Sequence, residues 1–280
     1  MDRTAKILVG AHVALILFST VALTTFLAGT PPPWLSEEPA QTIYRWGWRL
    51  SGPTYVVLGA AAILLHAAAR FGWGRATALL AAGSLISLGS ELLGTSTGFP
   101  FGPYSYTTLL GYRIADLVPF PIPLSWFYMV YASLAIVGRI LPAGDAERTK
   151  TLWALAGGAI LTAWDVAMDP AMSKATTHWL WQTDGFFYGM PLINWVGWFL
   201  TGSVVARAML AIVGPRGFAE KVSPSRLPLA VYAINGVMPI AICVRHGLWW
   251  AAILGAAAMG LALLLATRQE RALSPVIFET

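Results

Sequence analysis

The feature that most constrains the fold is a series of apolar segments, each close to the length needed to cross a lipid bilayer. A helix rises about 1.5 Å per residue, so roughly 20 apolar residues span the hydrocarbon core. We predict eight spans, of which the second and seventh are short enough that seven is the alternative. The predicted spans are residues 7–28, 53–69, 77–93, 120–140, 151–168, 190–213, 228–244 and 248–267. The expected fold is an all-α, polytopic membrane helix bundle that forms one integral-membrane domain over residues 1–280.

The composition favours the same class. Hydrophobic residues make up 57% of the chain and charged residues 11%, whereas a soluble domain carries about 25% charged residues. The net charge of +5 is compatible with nucleic-acid binding, but the basic residues lie at the ends of apolar runs, which is typical of membrane orientation. The single Cys243 excludes an internal disulfide and a cysteine-based metal cluster. We therefore predict the lipid bilayer, and no nucleic acid, as the environment of this chain.

The distribution of Lys and Arg predicts the orientation of the bundle. With the N-terminus inside, thirteen of the 18 basic residues fall on the inner side and five on the outer side. Basic residues concentrate in cytoplasmic loops, so both termini are predicted to be cytoplasmic, in a multi-pass protein of the inner cell membrane. In this topology the polar and aromatic motifs collect at the outer ends of the spans. The active site is therefore predicted to lie toward the outer leaflet.

Carboxylates near the outer ends of two spans are the strongest candidates for chemistry. Asp165 and Asp169 are four residues apart and so share one helix face, and Glu91 ends the third span at the same level. An ionisable group at bilayer depth costs roughly 2.5–3.5 kcal/mol on insertion scales. One interpretation is structural, with Asp165 bonding a neighbouring helix and Asp169 lying among the headgroups. The other is that these groups act as acid, base or metal ligand.

Aromatic residues gather around these carboxylates in the predicted topology. They are Phe99, Phe101, Tyr104, Tyr106, Trp126, Phe127, Tyr128, Trp164, Trp195 and Trp198. An aromatic face stabilises a cation by up to about 2 kcal/mol in a dry site, and a carboxyl group in an apolar pocket can stay protonated and serve as a general acid. Together they suit a reaction through a carbocation. The alternative is an ordinary interfacial belt or packing.

A metal site is the weaker interpretation of the aspartate pair. Two aspartates four residues apart are able to hold Mg²⁺ for diphosphate binding. However, the sequence has no second aspartate-rich motif, and only Arg113 and Lys174 are nearby to pair with phosphates. The four histidines show no metal-ligand spacing. We therefore predict no metal site.

Four segments resemble a known family. Residues 91–106 (ELLGTSTGFPFGPYSY), 121–129 (PIPLSWFYM), 163–172 (AWDVAMDPAM) and 187–195 (FYGMPLINW) are similar to the membrane carotenoid hydratases of the CruF type. That family includes γ-carotene 1′,2′-hydratases and bisanhydrobacterioruberin hydratases, and the similarity covers roughly residues 40–215. The resemblance implies addition of water to the terminal 1′,2′ double bond of an acyclic carotenoid end, without a cofactor. The implied substrates are γ-carotene, lycopene or the C50 carotenoid bisanhydrobacterioruberin.

Such a hydration needs a proton at C2′, a tertiary cation at C1′ and a water to attack it. We predict Asp165 as the acid because it lies deeper in its span than Asp169, with Glu91 as second choice. Asp169, one turn closer to the outside, is predicted to orient the water. The predicted substrate-binding residues are Trp164, Trp126 and Tyr104, which would flank the cation, together with Tyr188, Asn194 and Trp195.

Three other functions remain open from the sequence. A UbiA-like prenyl transferase would require Mg²⁺ and a prenyl diphosphate, so EDTA would abolish its activity. A carotenoid cyclase would share the protonation step but would leave the mass of its substrate unchanged. A non-enzymatic carotenoid-binding or transport protein would leave the pigment unaltered.

Overall fold

The computed structural model describes residues 1–25 and 33–273, and this part of the chain contains eight helices long and apolar enough to cross a membrane. This finding confirms the predicted all-α membrane bundle and the count of eight spans. The helices are α1 (Asp2–Thr24), α2 (Ala40–Phe71), α3 (Trp73–Thr97), α4 (Pro121–Ile140), α5 (Glu147–Pro170), α6 (Ile193–Gly217), α7 (Leu227–Arg245) and α8 (Trp249–Leu273).

The second helix is longer than the predicted span because ten residues precede its membrane-crossing part. The apolar and small residues Ala40, Ile43, Tyr44 and Gly47 recur at helical spacing and line an internal cavity. Because these residues share one helix face, the first turns of α2 form one wall of this cavity. The sequence favours an aromatic anchor over residues 29–52, with a short interfacial helix as the alternative; residues 29–32 of this segment lie outside the described residues.

Helix α4 forms the centre of the bundle. Every residue from 125 to 137 is buried, and α4 contacts α2, α3, α5, α6, α7 and α8. A helix that is apolar on all faces is buried on all faces. The side chains of residues 125–137 therefore lie in the interior of the protein.

Helices α5 and α6 approach closely because glycine provides the space. A Cβ on Gly158 would lie 2.7 Å from the carbonyl oxygen of Phe199 and 2.9 Å from the backbone nitrogen of Ser203. Small residues allow this contact between membrane helices. The close pairing brings the end of α5, which carries the aspartates, against the start of α6.

Short extended segments connect the loops on one side of the bundle. Strand β1 (Tyr104–Tyr106) follows α3, and β4 (Trp179–Trp181) follows α5; they pair antiparallel, with Tyr104 opposite Trp181 and Tyr106 opposite Trp179. Strands β2 (Arg113–Ile114) and β3 (Val118–Pro119) form a second small pair. Between α5 and β4 the chain makes a π-helical turn, Ala171–Ala175. The pairing of β1 with β4 thus holds together the segments that follow α3 and α5.

The two sides of the bundle are distinct. Arg70 at the end of α2 pairs with Asp2 at the start of α1, at 3.6 Å, so eight crossings place the start of α1 and the end of α8 on this side. The opposite side carries β1 to β4, and we call it the strand side. The prediction that the termini are cytoplasmic and the strand side external stays a prediction.

The α5–α6 contact gives a test of the packing. Gly158→Ala should lower the unfolding temperature of the detergent-solubilised protein, because overpacking against backbone costs about 1–3 kcal/mol. Gly89→Ala is the matched control, since nothing lies within 4 Å of its added Cβ. Equal unfolding temperatures for the two variants would contradict the described contact.

Candidate active site

Glu91 is a buried carboxylate surrounded by three donors. The Trp126 Nε1–H donates to Oε1 at 3.0 Å, the Tyr106 hydroxyl donates to Oε2 at 2.9 Å, and the Tyr104 hydroxyl donates to the same oxygen. Gly94, one turn further along α3, allows the approach, since a Cβ there would lie 3.2 Å from the Tyr104 hydroxyl. Charge-assisted hydrogen bonds to both oxygens favour the ionised carboxylate.

Tyr104 and Tyr106 are suited to remain donors. Burial, with the neighbouring Glu91, raises the pKa of each phenol well above its usual value. Both hydroxyls therefore keep their protons at physiological pH. They lie on the same face of β1, since alternate residues of a strand share a face.

Asp165 and Asp169 form a second carboxylate group, bridged by one amide. The Asn194 Nδ2 donates to Asp165 Oδ2 at 2.9 Å and to Asp169 Oδ2 at 3.1 Å. All three side chains are buried. The bridge confirms that the two aspartates share one face of α5, and it connects that face to the first turn of α6.

The two aspartates differ in their surroundings. Asp169 Oδ1 also accepts from the Ser173 hydroxyl and from the Trp181 Nε1–H, both at 3.0 Å. Asp165 has only the bond from Asn194, and its Oδ1 is buried without a hydrogen-bond partner among the described residues. Asp169 thus accepts hydrogen bonds from three side chains, and Asp165 from one.

A cavity of about 430 Å³ runs past these groups. Glu91, Asp169 and Asn194 line it, whereas Asp165 lies behind Asp169 and does not. Most of the remaining wall is apolar and comes from α1, α2, α4, α5, α6, α7 and the strand side. The cavity reaches the periphery of the bundle at Phe18 and Ile43, whose side chains are largely exposed.

Aromatic rings form the wall between the two carboxylate groups. Trp126 stacks on Trp198 with ring centroids 4.3 Å apart, and Trp164 meets Trp198 edge to face at 5.8 Å. Tyr104 lies 5.4 Å from Trp181. Since Tyr104 donates to Glu91 and Trp181 donates to Asp169, this pair of rings connects the two acidic groups.

The structure brings most of the predicted site residues together. Those that line the cavity are Glu91, Asp169, Asn194, Trp126, Trp164 and Tyr104. Tyr188 and Trp195 do not: the Tyr188 hydroxyl accepts the backbone N–H of Trp250, and Trp195 packs on Phe187 at 5.0 Å. The reason for Trp195 is geometric, because one step along a helix rotates the side chain by about 100° from that of Asn194.

Several residues of the site were not among the predicted set. Ser173 had a usable signal, since it lies one helical turn after Asp169. Tyr106 also had one, because it lies two residues after Tyr104 in an extended segment. Trp181 had none, because its contact with Asp169 depends on the pairing of β4 with β1.

The site offers carboxylates and aromatic rings rather than a cluster of metal ligands. In the described ranges, no group of three or more His, Cys, Asp or Glu side chains is placed to hold a metal ion. What these residues can supply is proton transfer and stabilisation of positive charge next to an apolar molecule.

Fold and site together define a polytopic membrane protein that holds buried carboxylates against an aromatic-walled, lipid-accessible cavity. The sequence profile of the family described as carotenoid biosynthesis protein matches residues 51–262. The chain belongs to that family.

One similar protein is the bisanhydrobacterioruberin hydratase of Haloarcula japonica, 35% identical over 130 residues. The alignment covers 46% of this chain and 43% of the relative, so the chain matches less than half the length of that protein. No solved structure matches the chain.

The amide bridge predicts a stability effect. Asn194→Leu should lower the free energy of unfolding by about 1–3 kcal/mol, because two buried carboxylates lose their common donor. The measurement is thermal unfolding in detergent.

The double variant Asp165→Leu/Asn194→Leu removes the donor together with the carboxylate that has no second donor in the described chain, and replacing both partners of a buried hydrogen bond by apolar groups can be nearly neutral. It should recover most of the lost stability. A double variant no more stable than Asn194→Leu would show that the bridge is not what stabilises this contact.

Proposed function

We propose that this protein is a carotenoid hydratase that adds water across the terminal 1′,2′ double bond of an acyclic carotenoid end. The observation that carries the proposal is one apolar cavity lined by two separately supported acidic groups and by the packed rings of Trp126, Trp164 and Trp198. Membership in a carotenoid biosynthesis family and the printed activity of the Haloarcula relative favour it. The product would be a tertiary alcohol, formed without a cofactor.

The first step is protonation of C2′ by the aspartate pair. Like charges this close disfavour ionisation of both groups, so the pair holds one proton. Asp165, with a single donor, is the better place to store that proton, and Asp169, which lines the cavity, is the better place to deliver it. The sequence predicted Asp165 as the acid and Asp169 as the group that orients the water; in place of those roles we assign storage of the proton to Asp165 and its transfer to C2′ to Asp169.

The second step is stabilisation of the tertiary cation at C1′. The faces of Trp126, Trp164 and Trp198 present negative charge density to it. Glu91 adds a fixed negative charge, since its three donors hold both oxygens in place and no reorganisation is needed when the cation forms. We assign Glu91 this electrostatic role.

The third step is capture of the cation by water. A C–O bond forms at C1′, and the oxygen then loses one proton to an acceptor in the cavity. The proton taken from the aspartate pair is replaced from solvent, so the net change is one water added. A dry apolar wall limits competing capture elsewhere on the chain.

The cavity accommodates an end group rather than a whole carotenoid. The polyene would leave the bundle at the periphery near Phe18 and Ile43, into lipid. γ-Carotene, lycopene and bisanhydrobacterioruberin all present an acyclic end that fits this arrangement. We keep the outer leaflet of the inner cell membrane as the predicted location.

A carotenoid cyclase is the second candidate, since it would use the same protonation and the same aromatic wall. The two differ in how the cation is quenched. Hydration raises the product mass by one water, whereas cyclisation leaves the mass unchanged.

Expression in cells that accumulate lycopene or γ-carotene tests the proposal directly. Extracted pigments, separated by liquid chromatography and identified by mass spectrometry, should contain a more polar species one water heavier. Activity should persist in membranes treated with EDTA, because no step uses Mg²⁺. Unchanged pigment with lycopene, γ-carotene and bisanhydrobacterioruberin would exclude the hydratase.

Substitution of the acidic groups should rank their roles. Asp169→Asn should lower the hydration rate at least 100-fold, since general acid catalysis contributes about 10²–10⁴-fold. Glu91→Gln should also lower the rate because the fixed charge is lost. Asp184→Asn, an exposed carboxylate on the strand side, is the control and should retain full activity. Full activity in Asp169→Asn and Glu91→Gln would overturn the assignment.

A further inference from the structure

His178 is a cavity residue whose ring is held in a defined orientation. Its backbone N–H donates to the Met172 carbonyl at 2.7 Å, and its carbonyl accepts the Thr107 backbone N–H at 3.0 Å. Its ring nitrogen Nδ1 lies 2.7 Å from the Thr176 hydroxyl oxygen. Hydrogen bonds thus hold the backbone N–H, the backbone carbonyl and the ring nitrogen Nδ1 of His178 in place.

The bond between Nδ1 and Thr176 runs in either direction, depending on which ring nitrogen carries the proton. The Thr176 hydroxyl donates its own hydrogen to the Ala171 carbonyl at 3.0 Å, so toward His178 the hydroxyl oxygen is the acceptor. This bond favours the tautomer with the proton on Nδ1 and a free lone pair on Nε2. No residue of the described chain bonds to Nε2, and the ring lines the cavity.

The ring stays neutral at physiological pH. Burial lowers the pKa of His178 to about 4. An imidazole of this kind accepts a hydrogen bond from water, and it releases any proton it receives back to solvent.

His178 and Asp169 line the same cavity, and the course of the chain relates them. After Asp169 it runs through the π-helical turn and returns in β4, where Trp181 donates to Asp169. His178 lies on the returning arm, immediately before β4. The cavity carboxylates Glu91 and Asp169 already accept three hydrogen bonds each, whereas Nε2 accepts none in the described chain.

We propose that Nε2 of His178 binds the water that captures the cation. This inference rests on the proposed hydratase function and assigns its nucleophile. The water donates one hydrogen to Nε2 and directs a lone pair toward C1′. As the C–O bond forms, the proton passes to Nε2 and then to solvent, while the aspartate pair regains its proton from solvent.

Deuterium exchange separates water capture from protonation. Membranes that contain the protein and unlabelled lycopene or γ-carotene are incubated in D₂O. A cation that is not captured returns a hydrogen from C2′ to the aspartate pair, and the recovered polyene then carries deuterium at C2′. The two readouts are hydrated product and deuterium in recovered substrate.

His178→Asn retains an amide that can donate to Thr176 but has nothing at the position of Nε2. It should form hydrated product at least tenfold more slowly than wild type while still introducing deuterium into recovered substrate. His178→Gln, whose amide oxygen reaches the position of Nε2, should recover part of the hydration. Asp169→Asn should lose hydration and exchange together.

Wild-type hydration in His178→Asn would overturn the proposal. Loss of both hydration and exchange in that variant, with the unfolding temperature unchanged, would overturn it as well, because His178 would then act before water capture. If His178→Asn unfolds at a lower temperature than wild type, His178→Gln takes its place. Loss of both hydration and exchange in His178→Gln would then overturn the proposal for the same reason. Absence of hydrated product in the wild type with every polyene would instead overturn the proposed function.

Discussion

The arrangement of this protein depends on the need to satisfy three carboxylates buried in an apolar bundle. Burying an isolated ionised carboxylate costs a large free energy, because the group loses its hydration. Each hydrogen-bond donor that replaces water lowers this cost. The structure meets the cost with donors from distant segments: Trp126 from α4, Asn194 from α6, and Trp181 from the strand side. The carboxylates near the ends of α3 and α5 therefore lie where these donors reach them.

The strand side is consequently part of the chemistry. Strands β1 and β4 are only three residues each, but their pairing sets Tyr104 opposite Trp181. One of these rings supports Glu91 and the other supports Asp169. A short β-pair above a helix bundle thereby fixes the spacing of two acidic groups that belong to different helices.

The three buried carboxylates have unequal numbers of hydrogen-bond donors, and the proposed function uses this inequality. Glu91 has donors on both oxygens, as does Asp169, whereas Asp165 retains an unpartnered oxygen away from the cavity. In a water-poor site such differences decide which group holds a proton and which holds a charge. The proposed hydration uses both states, one to form the cation and one to stabilise it.

The class of fold follows from the sequence alone, since span length and apolar composition are local properties. The shared helix face of Asp165 and Asp169 follows from it too, because it depends only on helical spacing. The sequence also selected Glu91, Asn194, Trp126, Trp164 and Tyr104 as candidates that the structure gathers at one cavity. Four features appear only in the packed molecule. Asn194 bridges the aspartates, Trp181 donates to Asp169, Asp165 does not line the cavity, and Tyr188 and Trp195 contact other residues instead. Those facts depend on which helix faces meet and how two loops pair, and no periodicity along the chain encodes them.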